Sequence, residues 1–152
     1  MREIGIGVIG TAFMGKAHSI AYASAGTAFG GNLRPRLEMV CDQNPQIAEE
    51  KRAEMGFARC TTNYMDVVND PKVELISICV PNSIHKEIAI AALAAGKHVW
   101  CEKPMSTNLA DSQAMVDAAA TSEQKTIVGY NYTQNPLVHA ARDMINEGVI
   151  GE

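Results

Sequence analysis

A net charge of −4 over 152 residues, with an isoelectric point of about 5.6, leaves no basic surface for nucleic acid. The chain is long enough for one domain that buries most of its surface. Its composition, 47% hydrophobic and 20% charged, is that of a folded domain, and its apolar runs are too short to span a membrane. These numbers exclude nucleic acid and membranes as expected partners.

Apolar runs alternate with stretches of helical composition along the whole chain. The predicted strands are residues 4–9, 37–41, 57–61, 73–80, 98–101 and 126–130. The predicted helices are residues 14–25, 45–55, 63–68, 83–95, 106–120 and 136–147. Glycines and a proline predict a loop over residues 26–36. This alternation predicts an α/β fold, a doubly wound parallel sheet of the Rossmann type with strand order 3-2-1-4-5-6.

Side chains that can cap helices precede three of the predicted helices. Asn44 stands before Pro45, which suits the first helical position, and Asn63 precedes the third helix. Ser106 or Thr107 is the expected cap of the fifth helix.

The four cysteines (Cys41, Cys60, Cys79 and Cys101) show neither a C-x-x-C pair nor the spacing of metal ligands. Their strand-like neighbours predict buried, reduced thiols and no metal site. Residues 4–9 are too short for the apolar part of a signal peptide. The expected location is therefore the cytoplasm.

A glycine turn joins the first strand to the first helix. The pattern G-x-G-x-x-G read from Gly10 places Gly10, Ala12 and Gly15 at the three glycine positions, so alanine takes the middle one. The glycines let the backbone turn sharply, and the new helix directs free amide groups at an approaching pyrophosphate. This pattern predicts a nucleotide site, with a plain strand-to-helix turn as the alternative.

Asp42 follows the second strand, where an acidic side chain can accept hydrogen bonds from both ribose hydroxyls of NAD. It would repel a 2′-phosphate, and no arginine follows it directly. The expected cofactor is therefore NAD in preference to NADP. The alternative is an aspartate that only stabilises the turn before Asn44.

The fourth and fifth strands are also followed by polar side chains, at the sheet edge where ligands bind. Asn82 is expected to cap the next helix. Either that is its only role, or Asn82 and His85 also contact a ligand. The charged pair Glu102 and Lys103 precedes Pro104. A lysine there can hydrogen-bond a substrate hydroxyl and help its proton leave, with the glutamate orienting it. A solvated turn is the alternative.

Asn131 and Tyr132 follow the sixth strand. They are expected to contact the substrate or the nicotinamide, and the alternative is that they only pack within a loop. His18, on the face of the first helix, and His98 and His139, which have no partner pattern, are interpreted as structural.

Four motifs, in this order, resemble one family. They are G-V-I-G-T-A-F-M-G-K-A-H at residues 7–18, V-P-N-S-I-H at 80–85, A-G-K-H-V-W-C-E-K-P at 95–104 and V-G-Y-N-Y at 128–132. Together they resemble the amino-terminal domain of the glucose–fructose oxidoreductase/inositol dehydrogenase (Gfo/Idh/MocA) family, over the whole chain. The E-K-P after a strand is the most specific part.

The resemblance implies an NAD(P)-dependent dehydrogenase that acts on a hydroxyl or keto group of a sugar, cyclitol or related polyol. It implies that Lys103 is catalytic and contacts substrate, and that Asn131 and Tyr132 lie near the substrate. The cofactor-binding residues that the pattern and the resemblance give are Gly10, Thr11, Ala12, Phe13, Met14, Gly15, Asp42, Val80, Pro81, Asn82, His85, Glu102 and Lys103.

Members of that family continue into a second α+β domain that supplies most of the substrate pocket and usually the oligomer interface. The resemblance therefore predicts that residues 1–152 are the dinucleotide-binding domain, truncated before a substrate domain, and inactive alone. A homo-oligomer is expected only for the complete protein. The competing hypotheses are a non-catalytic Rossmann nucleotide-binding or interaction module and a methyltransferase-like domain with another adenosine ligand.

Overall fold

The computed structural model describes residues 1–149 and 151, which form one six-stranded parallel sheet with helices on both faces. The strands are β1 (Arg2–Ile9), β2 (Leu33–Cys41), β3 (Arg59–Thr61), β4 (Leu75–Ile78), β5 (His98–Cys101) and β6 (Thr126–Val128). The helices are α1 (Phe13–Phe29), α2 (Pro45–Met55), α3 (Tyr64–Asn69), α4 (His85–Ala94), α5 (Leu109–Ala120) and α6 (Pro136–Asn146). Short 3-10 helices occupy Asn82–Ile84 and Asn131–Gln134.

The strand order is β3-β2-β1-β4-β5-β6, as the alternation of strands and helices predicts. Every neighbouring pair is parallel, so every crossover carries the chain back over one face of the sheet. The central strands supply fully buried side chains such as Ile6, Val8, Ile76 and Ile78. Burial on both faces explains why these strands read as nearly continuous apolar runs. The order reverses between β1 and β4, which places a crevice beyond their carboxyl ends.

The predicted loop over residues 26–36 is wrong. The helix α1 continues through Gly26 to Phe29, and β2 begins at Leu33. Gly26 keeps helical backbone angles, whereas Gly30 and Gly31 adopt positive φ values of 63° and 92°. The chain therefore turns at the two glycines whose conformation a helix cannot accept.

The cap of α5 also differs from the prediction. The side chain of Asn108 accepts the amide of Asp111, so Asn108 is the cap. Ser106 lies outside the helix and hydrogen-bonds Ser112 at 2.7 Å. Asn44 and Asn63 cap α2 and α3 as predicted.

All four cysteines are free. Cys41, Cys79 and Cys101 are buried as predicted, but Cys60 is only partly covered and donates to Glu49 at 3.3 Å. Burial raises the pKa of the three buried thiols to about 12, so they stay protonated at neutral pH.

Candidate functional site: two cavities beside the start of α1

The turn between β1 and α1 is too tight for side chains at two of its glycines. Gly10 has a φ of 98°, and a β-carbon on it would lie 2.4 Å from the carbonyl oxygen of Cys79. A β-carbon on Gly15 would lie 1.9 Å from the carbonyl oxygen of Gly10. Both glycines therefore allow α1 to start directly against the ends of β1 and β4. Ala12 occupies the exposed middle position, where its methyl group is tolerated.

No side chain caps the first turn of α1, and no acidic residue lies in it. By contrast, asparagine side chains cap α2, α3, α5 and α6, at Asn44, Asn63, Asn108 and Asn135. The first amide groups of a helix need an acceptor, and the helix dipole favours an anion there. The start of α1 is thus suited to a phosphate group.

A cavity of about 690 Å³ lies on the β2 side of this turn. Asp42 lines it, with Oδ1 accepting the amide of Asn44 at 3.1 Å and Oδ2 accepting the hydroxyl of Thr11. The carboxylate therefore both stabilises its turn, as the alternative interpretation predicted, and faces the cavity. The other site candidates in this wall are Gly10, Thr11, Ala12, Val80 and Pro81.

A second cavity, of about 790 Å³, lies on the other side of α1, against β5 and β6. Lys103 lines it and is exposed, and no hydrogen bond or ion pair holds its ammonium among residues 1–149. Asn131, which follows Lys103 by 28 residues in the sequence, lines the same cavity. The remaining lining residues include Met14, His18, Tyr22, Trp100, Glu102, Gly129, Tyr130, Thr133 and Gln134. The Lys103–Pro104 peptide bond is cis.

Five candidates line neither cavity, namely Phe13, Gly15, Asn82, His85 and Tyr132. Phe13 and Tyr132 are exposed, at 83% and 71% of their full surface. Asn82 begins the 3-10 helix after β4, between two residues that line the first cavity. Tyr130, two residues before Tyr132 in the same motif, lines the second cavity, whereas Tyr132 does not.

His85 is fully buried, which changes the role expected for it. Its Nε2 lies 2.8 Å from the carbonyl oxygen of Val80 and its Nδ1 3.1 Å from that of Pro104. Both ring nitrogens face backbone oxygens, so this side chain joins the ends of β4 and β5 and does not present a polar atom to either cavity.

The sequence predicts that His18 lies on the face of the first helix, and in the structure this face is buried beside the second cavity. Its Nε2 donates to Oε1 of Glu102 at 2.9 Å, and its Nδ1 lies 3.1 Å from Oγ of Ser77. Glu102 is likewise buried and turns inward, away from its exposed neighbour Lys103. No local pattern in the sequence connects these partners. The one signal is the position of His18, about one helical turn after Gly15.

Among the described residues, no group of three or more histidine, cysteine, aspartate or glutamate side chains could hold a metal ion. Within the same part of the chain, none of the helices combines the length and apolar character that crossing a membrane requires.

The sheet is parallel, and cavities lie on both sides of the uncapped start of α1, where the strand order reverses. These features define a dinucleotide-binding domain of the Rossmann class. The chain belongs to the GFO_IDH_MocA group, described as an oxidoreductase family with an NAD-binding Rossmann fold, whose model matches residues 4–130. The family, fold and NAD cofactor that the sequence predicted are thereby confirmed.

Two named dehydrogenases are similar to almost the whole chain. Levoglucosan dehydrogenase of Pseudarthrobacter phenanthrenivorans is 39% identical over 152 residues, which are 99% of this chain and 39% of the relative. Myo-inositol 2-dehydrogenase of Thermotoga maritima is 26% identical over 147 residues, 97% of this chain and 42% of the relative. A levoglucosan dehydrogenase structure in complex with NADH and levoglucosan superposes with a TM-score of 0.92 at 38% identity, covering 99% of this chain and 41% of that one. The chain thus spans about two fifths of the length of these relatives.

Proposed function

We propose that the chain is the NAD-binding domain of a dehydrogenase that interconverts a hydroxyl and a keto group on a sugar, cyclitol or related polyol. The observation that carries this proposal is that Asp42 and Lys103 face separate cavities on the two sides of one uncapped helix start. A dinucleotide has its adenosine and nicotinamide on opposite sides of a pyrophosphate, so one molecule can span both cavities.

The residues around the start of α1 fit this cofactor. The amide groups at the start of α1 would hold the pyrophosphate, and Gly10 and Gly15 keep side chains out of its approach. Asp42 would accept the two hydroxyl groups of the adenosine ribose, and its charge would oppose a 2′-phosphate. The second cavity, which contains Met14 and Asn131, would receive the nicotinamide and the substrate.

Lys103 supplies the acid–base chemistry in this proposal. The nicotinamide ring, when bound, accepts or returns a hydride at the carbinol carbon. Lys103 would hydrogen-bond the oxygen on that carbon, remove its proton during oxidation and return it during reduction. The side-chain amide of Asn131, in the same cavity wall, would help to orient the polyol.

The names of the relatives support the substrate class, since a dehydrogenase of levoglucosan and one of myo-inositol are both similar to this chain. The proposal names this class of substrate and no particular sugar or cyclitol. A cytoplasmic location is also proposed, because the four free cysteines fit a reducing compartment.

Binding of NADH to the 152-residue chain tests the proposal. Trp100 is the single tryptophan and lines the second cavity, so NADH should quench its emission and gain fluorescence by energy transfer. ADP-ribose, which lacks the nicotinamide, should bind by calorimetry yet leave the emission of Trp100 unchanged. If NADH and ADP-ribose bind equally and neither affects Trp100, the chain is an adenosine-nucleotide module, and if neither binds, the proposal fails.

A further inference from the structure

Lys103 stands between two residues that each contact a buried histidine. On one side, the carboxylate of Glu102 accepts a hydrogen bond from Nε2 of His18 at 2.9 Å. On the other, the carbonyl oxygen of Pro104 lies 3.1 Å from Nδ1 of His85. The lysine itself is exposed, so the residues around it are fixed while its own side chain is free to meet a ligand.

Glu102 is 6% exposed, and a buried carboxylate is strongly disfavoured without a donor. His18 is that donor, and it is 7% exposed. Because His18 lies in the second turn of α1, the hydrogen bond joins the helix that begins at the phosphate turn to the end of β5. The direction in which the chain leaves β5 is therefore fixed relative to the start of α1.

A chain of hydroxyl groups sets the tautomer of His18. Oε1 of Glu102 can only accept, so Nε2 of His18 carries the hydrogen and Nδ1 is an acceptor. Ser77 lies 3.1 Å from Nδ1 and donates to it, and Tyr22 donates to Ser77 at 2.7 Å. Burial raises the pKa of Tyr22 to about 12, so its hydroxyl keeps the hydrogen. Every hydrogen in the chain then has an acceptor.

Neighbouring groups crowd one side of the carboxylate. A β-carbon on Gly129 would lie 2.5 Å from Oε1 of Glu102, so the bare backbone of Gly129 passes directly beside it. The ring of Trp100 packs edge-to-face on His18, with centroids 4.9 Å apart. These neighbours restrict the movement of the Glu102–His18 pair.

We propose that His18 is a positioning residue for Lys103. It holds the Glu102 carboxylate inside the domain, and thereby fixes the place of Lys103 relative to the helix that would carry the pyrophosphate. The role of Lys103 toward cofactor and substrate rests on the proposed function. The hydrogen bonds of His18 do not, because the structure shows them directly.

The test follows the side chain of Lys103 directly. Lysines are converted to ¹³C-dimethyl-lysines, which keep their charge, and the Lys103 signal is assigned as the one lost in Lys103→Arg. In the unmodified sequence, NADH should shift this signal, because the nicotinamide would enter the cavity that Lys103 lines. His18→Phe keeps an aromatic ring beside Trp100 but removes both hydrogen bonds. In this variant the NADH-induced shift of Lys103 should be lost, while calorimetric binding of NADH persists.

His98→Phe is the matched control, since His98 starts the same strand at its opposite end. It should leave the Lys103 response to NADH unchanged. If His18→Phe does not fold, Gly129→Ala decides, because its methyl group displaces the carboxylate with His18 intact, and it should abolish the same shift.

A normal NADH-induced shift in the folded variant would overturn the positioning role and leave the proposed function standing. Absence of any NADH binding by the unmodified sequence would instead remove the proposed function and this inference with it.

Discussion

Thr11 donates its hydroxyl hydrogen to Oδ2 of Asp42, which ties the turn after β1 to the end of β2. Oδ1 of the same carboxylate accepts the amide of Asn44 at 3.1 Å. With one bond on each oxygen, the carboxylate has a fixed orientation at the wall of the first cavity, where a ribose can reach its remaining lone pairs. Preorganisation of this kind strengthens binding, because the side chain does not have to be ordered by the ligand.

Asp42→Asn should weaken NADH binding by about tenfold, the usual order for losing hydrogen bonds to a charged group. The affinity for NADPH should fall less, so the preference for NADH should narrow. Thr11→Val, which removes only the hydroxyl group beside the carboxylate, should cause a smaller loss in the same direction. Calorimetry with both cofactors measures the ratio. Asp117→Asn, on the exposed surface of α5, is the control, and an unaltered ratio in Asp42→Asn would remove the carboxylate from cofactor selection.

Lys103→Met should lower turnover by about 10²-fold to 10⁴-fold, the range for losing a general acid–base group, in the protein that carries this domain. Its NADH affinity should stay close to that of the unmodified protein, because the phosphate turn and Asp42 are untouched. Steady-state kinetics with an accepted polyol, together with NADH titration, separate the two effects. Lys125→Met removes an exposed lysine elsewhere and should change neither. Equal losses in turnover and NADH affinity would instead assign Lys103 to cofactor binding.

The sheet order and the position of the E-K-P segment could be predicted because they depend on signals close together in the chain. Each signal stands within a few residues of the element that it marks. These signals are the buried run in β4, the asparagine before α2 with the proline that begins it, and the charged pair after β5. Parallel strands then bring these segments to one edge without further information.

The partner of Glu102 could not be predicted in that way. His18 lies 84 residues away. The two meet only because the folded sheet brings α1 close enough for His18 to contact Ser77 of β4 and Trp100 of β5. The end of α1 differs from the prediction for another reason. A glycine is compatible with a helix, so Gly26 alone does not end one, and the positive φ values that do end it belong to Gly30 and Gly31.

Gly26→Ala should raise the free energy of unfolding by about 0.5–1 kcal/mol, because alanine favours helix and the unfolded chain loses freedom. The nearest atom to the new methyl group would be Cγ of Arg34 at 4.0 Å, an ordinary contact. Urea unfolding measures the change. Gly30→Ala is the paired variant and should be destabilising by about 1 kcal/mol, because its φ of 63° disfavours a β-carbon. Destabilisation by Gly26→Ala would show that α1 does not extend to Phe29 in solution.

Asp70 gives the domain a stability that depends on pH. The hydrogen bond from Arg59 lowers the pKa of its carboxyl group, against the opposing effect of burial, and the amide of Lys72 helps at 2.7 Å. A carboxyl group with a lowered pKa in the folded state stabilises that state above its ordinary pKa of about 3.9. The stabilisation disappears as the pH falls through the lower, folded value.

Asp70→Asn should therefore lower the free energy of unfolding at pH 7 by about 1 kcal/mol, because the bond to Arg59 loses its charge while the acceptor for Lys72 remains. The difference from the unmodified chain should shrink below about pH 4, where Asp70 itself becomes protonated. Urea unfolding at a series of pH values measures this difference, with Asp117→Asn as an exposed control that should show little effect. A difference that stays constant from neutral to acid pH would mean that the side chain acts through packing, because only the charged form of Asp70 can lose its contribution by protonation.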